Sequence, residues 1–294
     1  MNAVNNGLTG FFDLLLAPFE LIGDRTAMIL VSGIFGVLAL WLFKYISWQA
    51  GIKLAKDRIK GHMIEIRIYQ DDLVVVGQAV VKILLRNFQY VGLNFGPFVP
   101  LAIPFFIVAA QFIVRYSYDP VPVTAANADL LAGQGTLIEI RMKDRRAALA
   151  GDLTLTLPEG VRAVSPLVRS AADGRAFQEV VALTPGEHEI RFSVPGSEPE
   201  VLKLVAGTEA TRTMQPRRVA NDNWYRIDDP DICALLWPAA PGFTSESPFA
   251  TAAISYPERD LGWLPGGEMG ILITFVLASM VFGLVALKPL GVQI

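Results

Sequence analysis

The run Asn87–Val114 reads NFQYVGLNFGPFVPLAIPFFIVAAQFIV, 28 residues without one charged side chain. An α-helix needs about 20 mostly apolar residues to cross the hydrocarbon core of a bilayer. Inside lipid a helix satisfies its own backbone hydrogen bonds, which an open chain cannot do. The run therefore predicts a membrane-spanning helix.

Two more uncharged runs lie on either side of it, Thr26–Phe43 with 18 residues and Met269–Leu287 with 19. Charged residues make up only 18% of the 294 residues, and mean hydropathy is +0.42, whereas soluble domains carry about 25% charged residues. Three such runs in one chain disfavour buried core helices of a soluble protein. The sequence therefore predicts three transmembrane helices.

Charge on the connecting segments predicts the orientation. Lys44–Arg86 carries eight Lys/Arg against four Asp/Glu, and Arg115–Glu268 carries 15 against 21. Short basic loops stay in the cytoplasm. We therefore expect Lys44–Arg86 and the C-terminus in the cytoplasm, and the N-terminus and Arg115–Glu268 outside it. The expected location is the inner (plasma) membrane.

The segment at 44–88 predicts a cytoplasmic helical hairpin with its turn at 70–72. Its first helix is amphipathic, and its basic face is formed by Lys53, Lys56 and Lys60, which are three and four residues apart. We interpret this face as one that attracts lipid phosphates, in preference to a nucleic-acid or ribosome contact. Leu73–Phe88 is expected to form the second helix, which leads back into the bilayer.

Residues 1–25 have their own pattern. Gly10–Gly23 reads GFFDLLLAPFELIG and predicts a short helix lying on the outer leaflet, with Pro18 kinking or splitting it. Docking against a partner helix is the alternative. No basic residue precedes Arg25, so a cleavable signal peptide is not expected.

Asp119–Pro122 predicts a rigid linker, after which the periodicity changes from helical to alternating. Alternating strands separated by Pro/Gly turns predict an immunoglobulin-like β-sandwich. We expect strands at Leu137–Met142, Leu153–Leu157, Phe177–Leu183, Glu189–Val194 and Val201–Val205. Pro216–Leu264 is expected to be irregular, with its aromatic residues in the core, at the membrane interface or at a partner.

The predicted organisation is an interfacial segment at 1–25, two spans and the hairpin at 26–116, an extracytoplasmic β-domain at 117–265, and a third span with a short tail at 266–294. The fold class is a mixed membrane protein with transmembrane α-helices and a β-sandwich. The second span carries several prolines, so we expect it to be kinked and packed against protein. Gln111, near its outer end, is a candidate for a polar contact with another helix.

The first two spans resemble the YidC-type insertase family over about residues 28–116. The order of parts is similar, and so is the stretch Tyr90–Gln111, with Asn before Gly, a Pro-x-x-x-Pro step and two Phe. The residues that carry this family-like motif are Gln49, Asn94, Gly96, Pro97, Pro100 and Pro104. The resemblance implies a membrane insertase or chaperone. Bacterial members keep a positive residue in the first core span, whereas Thr26–Phe43 has none.

Motifs of catalysis are absent from the sequence. It contains no phosphate-binding loop, no dinucleotide fingerprint, no zinc-protease motif and no nucleophile elbow. One cysteine and two histidines offer no metal-ligand cluster. We therefore expect no enzyme activity, no cofactor, no nucleic acid and no small-molecule substrate.

Two functions follow from these observations. The first is a non-catalytic scaffold or assembly subunit that holds other membrane proteins in a larger complex, with a photosynthetic or respiratory supercomplex as one candidate host. The second is the insertase or chaperone that the resemblance implies. A ligand-binding sensor is a weaker third reading, since the sequence shows no cytoplasmic output domain.

Overall fold

The computed structural model describes residues 2–131, 133–207, 214–220 and 241–292, with backbone only for 2–5. The chain divides into two compact units. The first comprises Met1–Arg25 and Ile107–Ile273, and the second comprises Thr26–Phe106 and Thr274–Ile294. We call them the β-unit and the helical unit. Trp224, Tyr225, Cys233 and Trp237 lie outside the described residues.

Six helices lie within the described ranges. They are α1 Asn2–Glu20, α2 Asp24–Ile46, α3 Gln49–Ile68, α4 Leu73–Phe95, α5 Phe98–Tyr116 and α6 Gly267–Leu290. Three helical segments are long and apolar enough to cross a membrane: Asp24–Ile46, Leu73–Tyr116 and Gly267–Leu290. The coarse prediction of three such helices together with antiparallel β-sheets is confirmed.

The second apolar segment, Leu73–Tyr116, is longer than one span needs. Its 44 residues correspond to about 66 Å of helix, roughly twice the hydrocarbon thickness. The chain breaks at Gly96–Pro97 into α4 and α5, and the 19 residues of α5 cover one span by themselves. The expected second hairpin helix therefore runs on to Phe95, into the run that predicted the span.

Small residues let α2 and α6 approach closely in the helical unit. A Cβ added at Gly36 would overlap the backbone carbonyl oxygen of Ser279, and one added at Gly33 would overlap the ring of Phe282. Membrane helices pack through such small residues because lipid supplies no hydrophobic force between them. Lys44 Nζ donates to the carbonyl of Leu290 at 2.7 Å, which ties the ends of α2 and α6 together.

An aromatic cluster joins α5 to this pair. The ring centroids of Phe35, Phe105 and Phe275 lie 5.1–6.5 Å apart, a distance at which tilted aromatic pairs attract each other. The cluster contains one ring each from α2, α5 and α6. The three apolar segments that are able to span a membrane therefore share one packed centre.

The β-unit contains nine strands in its described part. They are β1 Thr136–Met142, β2 Thr154–Thr156, β3 Val161–Ala163, β4 Val168–Ser170, β5 Arg175–Ala182, β6 Gly186–Ser193, β7 Glu200–Ala206, β8 Arg217–Val219 and β9 Phe249–Ile254. One sheet has the order β3-β5-β1-β9-β8, with β4 also paired to β5, and the other has the order β2-β6-β7. Every pair is antiparallel. A 3₁₀ helix, Asp144–Asp152, follows β1.

The inward side chains of both sheets form one apolar core. β1 shows the alternation that the sequence predicts, since Ile138, Ile140 and Met142 are buried and Leu137 is exposed. Phe192 of β6 contacts Phe249 of β9 edge to face, with ring centroids 4.8 Å apart. This ring contact links the two sheets, because β6 and β9 belong to different ones.

The region after Pro216 corrects one expectation. We expected irregular structure over Pro216–Leu264, but Phe249–Ile254 forms β9 and lies between β1 and β8 in the larger sheet. Its sequence, FATAAI, is rich in alanine, which has a low intrinsic strand preference. Pairing with β1 on one side and β8 on the other, together with burial, decides the conformation.

Candidate functional site

The family-like motif lies at the break between α4 and α5. Pro97 has no N–H, so the helical hydrogen-bond ladder cannot pass through it. The N–H of Gly96 still donates to the carbonyl of Gly92 at 2.9 Å, and the N–H of Val99 donates to Gly96 at 3.3 Å. Pro104 in turn deprives the carbonyl of Pro100 of its helical donor. The motif therefore produces a stretch of helix in which the carbonyls of Leu93 and Pro100 lack their usual helical donors.

Asn94 adds a polar side chain to this break. Its Nδ2 donates to the carbonyl of Tyr90 at 2.8 Å. Its Oδ1 is buried and accepts no hydrogen bond from any described residue. Buried polar atoms without a partner cost free energy and mark positions that a donor would stabilise. Asn94 and the proline carbonyls together make the break rich in acceptors.

Contacts between α3 and α4 hold the predicted hairpin, whose turn lies between Ile68 and Leu73. Glu65 of α3 binds Lys82 of α4 at 3.7 Å and His62 at 2.9 Å. The hydrogen bond from His62, assisted by the charge of Lys82, holds the pKa of Glu65 below its ordinary value. Lys56 lies 5.7 Å from the ring centroid of Tyr90 on α4, so a predicted basic residue meets the helical turn before Asn94.

These contacts define two sides of α3. Lys53 and Lys60 are exposed and lie seven residues apart, so they share the Lys56 side of the helix. Arg67 extends the same row by another seven residues. Arg58 lies seven residues before Glu65 and therefore belongs to the other side. Lys53, Lys60 and Arg67 are the exposed members of this predicted basic face, whereas Lys56 is half-buried and lies against Tyr90 of α4.

Gln49, the remaining member of the motif, is the first residue of α3. Its Nε2 donates to Oγ of the buried Ser47. This contact is local and bridges the short connection between α2 and α3. It brings Gln49 to no other member of the motif.

The outer side of α4 carries an exposed apolar row that we call the α4 seam. Its members recur alternately at three and four residues, which is the spacing of a coiled-coil heptad. They are Val74, Gly77, Val81, Leu84, Phe88, Val91 and Phe95. The six apolar side chains among them are 47–75% exposed. Ala79, on the opposite side of α4, is fully buried.

Gln111 belongs to the β-unit, where it joins α5 to α1. Its Nε2 donates to Thr9 Oγ1 at 3.4 Å, and its Oε1 accepts from Nη1 of Arg115. Nη2 of Arg115 donates to Asp13 Oδ1 at 2.6 Å and to the carbonyl of Thr9 at 3.0 Å. The Arg115 side chain is only 1% exposed. Gln111 is thus one member of a buried polar cluster that also contains an ion pair.

Sequence reasoning missed the ion pair of Asp13 with Arg115. The sequence does contain one signal, because Gln111 and Arg115 are four residues apart and so share a face of α5. The partner on α1 is about a hundred residues away in the chain, and no local pattern connects the two. A second ionic contact of this unit joins Arg259 to both Asp24, at 3.1 Å, and Asp119, at 2.9 Å.

Comparisons with family models, with curated proteins and with solved structures find no match for this chain. The resemblance of residues 28–116 to the insertase family therefore rests on the motif and on the order of parts.

Proposed function

We propose that the protein is a non-catalytic integral membrane scaffold that binds and stabilises other transmembrane polypeptides in a larger complex. The α4 seam carries this proposal. A heptad row of large apolar side chains is the surface into which the side chains of a second helix pack. Within the described residues, α3 covers only the opposite side of α4, so the seam is free to receive one helix from a partner.

Contact with bilayer lipid alone does not explain why the α4 seam runs along the whole length of α4. α5 is long enough to cross the hydrocarbon core alone, which leaves much of α4 beyond it. Lys82 and Arg86 also lie on α4, and charged side chains are costly in the hydrocarbon core. A partner helix would cover the apolar row where lipid does not reach.

The proposed orientation follows the charge distribution. We place the α3–α4 hairpin and the C-terminus in the cytoplasm, and the β-sheets outside it, in the plasma membrane, since the short hairpin segment is the basic one. For the β-sheets we propose an immunoglobulin-like sandwich. Two antiparallel sheets that share one core support it.

The test places a photocrosslinking amino acid at Leu84, Phe88 or Val91 in the seam, with Gln78 on another exposed side of α4 as the matched control. The protein is then purified from its own membrane in mild detergent. We expect the seam positions, but not Gln78, to crosslink to a membrane subunit that co-purifies in a fixed ratio. Leu84→Asp with Phe88→Asp should release this subunit, and Gln78→Asp should retain it.

Purification as a monomer, with no discrete adduct from the seam, would disprove the scaffold. Adducts that form equally at Gln78 would show that contact is unspecific and would also count against it.

The insertase remains the second candidate, and the acceptor-rich break around Asn94 favours it. Hydrogen-bond acceptors in an apolar segment could bind the polar groups of a chain that is being inserted into the membrane. Crosslinkers along Ile34–Leu42 of α2 would separate the two functions. Adducts with ribosome-bound nascent membrane proteins support the insertase, whereas their absence, together with a fixed subunit on the seam, supports the scaffold.

A further inference from the structure

The contacts between α1 and α5 reveal the direction in which α1 runs. Gln111 of α5 contacts Thr9 of α1, and Arg115 contacts Asp13. From the first contact to the second, both helices advance by four residues. Two helices that keep this register over a turn lie side by side and run in the same direction. Farther along α1, Glu20 accepts a hydrogen bond from Tyr116 at 3.2 Å.

This direction fixes the depth of α1, because α5 belongs to an apolar segment able to span the membrane. A helix that runs beside it in register follows the membrane normal and not the membrane plane. Thr9 is level with Gln111, which lies five residues before the end of α5. Thr9 therefore lies about 7 Å deeper in the membrane than Tyr116. The α1 residues before Thr9 lie deeper still.

The two sides of α1 differ in polarity in the way that a lipid-facing helix requires. Its charged residues, Asp13 and Glu20, point to partners on α5. The opposite side shows an uncharged row, Phe11, Leu14, Leu15 and Pro18, in which Leu14 is 79% exposed. Helices that lie flat at the interface have Lys and Arg on their polar face. α1 has neither.

We propose that α1 is a membrane-inserted helix that stands upright beside the final turns of α5, with its row Phe11, Leu14, Leu15 and Pro18 against lipid acyl chains. This replaces the sequence-based expectation of a helix lying flat on the outer leaflet. The ion pair of Asp13 with Arg115 holds α1 in register, and α1 in turn covers the polar side of α5. The inference is independent of the scaffold function.

Depth measurement on the full chain tests the proposal. Single cysteines at Gly7, Phe11, Leu14 and Ile22 are introduced with Cys233→Ser and labelled with a nitroxide, and the protein is placed in phosphatidylcholine nanodiscs. Accessibility to oxygen and to a water-soluble nickel complex gives the depth of each label. We expect depth to fall steadily from Gly7 to the end of α1 at Glu20 by about 1.5 Å per residue, so that Phe11 lies about 14 Å below Glu20 and the label at Ile22, in the turn that follows, is the shallowest.

Two outcomes would overturn the proposal. Equal depths at all four positions would show that α1 lies flat. Labels at Phe11 and Leu14 that neither oxygen nor nickel reaches would show that protein, not lipid, covers the row.

The anchoring role of the ion pair has its own test. Asp13→Ala should abolish the depth gradient, and the exchange Asp13→Arg with Arg115→Asp should restore it, whereas Asp13→Glu should leave it unchanged. Because Asp13→Ala leaves the buried Arg115 without its carboxylate partner, the charge exchange is the variant that separates loss of the ion pair from loss of the fold. A gradient that Asp13→Ala leaves unchanged would overturn this assignment.

Discussion

The β-unit and the helical unit differ in how many of their large apolar side chains they leave exposed. In the β-sheets, Phe192, Phe243 and Phe249 are buried at the centre of the core. In α2 of the helical unit, Ser32, Gly33 and Gly36 are buried, while Phe88 on α4 is 75% exposed. This difference in exposure indicates that different forces stabilise the two units.

The hydrophobic effect stabilises the packing of the β-sheets. Burying a large apolar side chain removes its surface from water, which stabilises the fold by about 1.5–3 kcal/mol per side chain. Between apolar membrane helices this gain is missing, because lipid is as apolar as the helix surface. Close contact through small residues then stabilises the helix pair, and many large side chains face outward even though a few, such as Phe275, pack inside.

The largest expected effect contrasts two phenylalanines. Phe249→Ala should lower the free energy of unfolding of the β-unit by about 3–5 kcal/mol, since it leaves a cavity between the two sheets. Phe88→Ala, the control on the α4 seam, should change the stability of the isolated protein by less than about 0.5 kcal/mol. Denaturant unfolding measured by tryptophan fluorescence checks both. Equal effects would break the comparison between the units.

The next effect contrasts two helical glycines. Gly36→Ala should destabilise the contact between α2 and α6 by about 1–3 kcal/mol, because its Cβ would overlap the carbonyl of Ser279. Gly61→Ala in α3 meets no atom within 4 Å and should stabilise the helix by up to about 1 kcal/mol. Unfolding in mixed micelles, followed by circular dichroism, measures both. A stabilising Gly36→Ala would contradict the proposed tight helix packing.

A smaller effect tests the polar groups inside the β-unit. The Tyr256 hydroxyl accepts from the N–H of Val205 at 2.9 Å and donates to the carbonyl of Lys203 at 3.2 Å. Tyr256→Phe leaves both backbone groups without this partner and should cost about 1–2 kcal/mol. Hydrogen exchange of the Val205 amide should accelerate in the variant. Unchanged exchange would show that the hydroxyl is dispensable.

The smallest effect depends on pH. Glu179 accepts from the N–H of Gly133 at 2.8 Å and of Gly135 at 2.5 Å, and these bonds hold the pKa of its carboxyl below the ordinary value of 4.5. A lowered pKa contributes stability above the unfolded value, and the contribution is lost as pH falls through the folded value. At neutral pH, Glu179→Gln should therefore lower Tm by a degree or two.

As pH falls from neutral through the folded pKa of Glu179, the difference in Tm between the two proteins should shrink and then vanish, because the carboxyl becomes protonated in the wild type. Thermal unfolding over a series of decreasing pH values measures it. A difference that does not change with pH would show that the charge of Glu179 plays no part.

Local pattern was sufficient for most of the elements. Uncharged runs mark the spanning helices, because every residue in a span must tolerate lipid. Alternation marks β1 and β6, since one side of each strand faces the core, whereas short apolar runs mark β5 and β7. β9 was not predicted because alanine favours a helix over a strand, and its pairing with β1 spans more than a hundred residues.

The candidate surfaces were predictable only in part. The spacing of Lys53, Lys56 and Lys60 gave the basic face, since three- and four-residue steps share one side of any helix. The heptad of the α4 seam is also present in the sequence, but its meaning depends on which side of α4 the helix α3 covers. Gln111 was identified by its polarity alone, whereas Arg115 and Asp13 required the neighbouring helix.

The sequence by itself determined which segments are apolar enough to span a membrane and which alternate as strands, because these properties repeat along the chain within a few residues. Only the tertiary structure decided that α1 runs parallel to α5, that Asp13 meets a buried Arg115, and that β9 completes the larger sheet. These features join residues that are distant in the chain. Their free energy comes from hydrogen bonds, ion pairs and burial that exist only once the chain has folded.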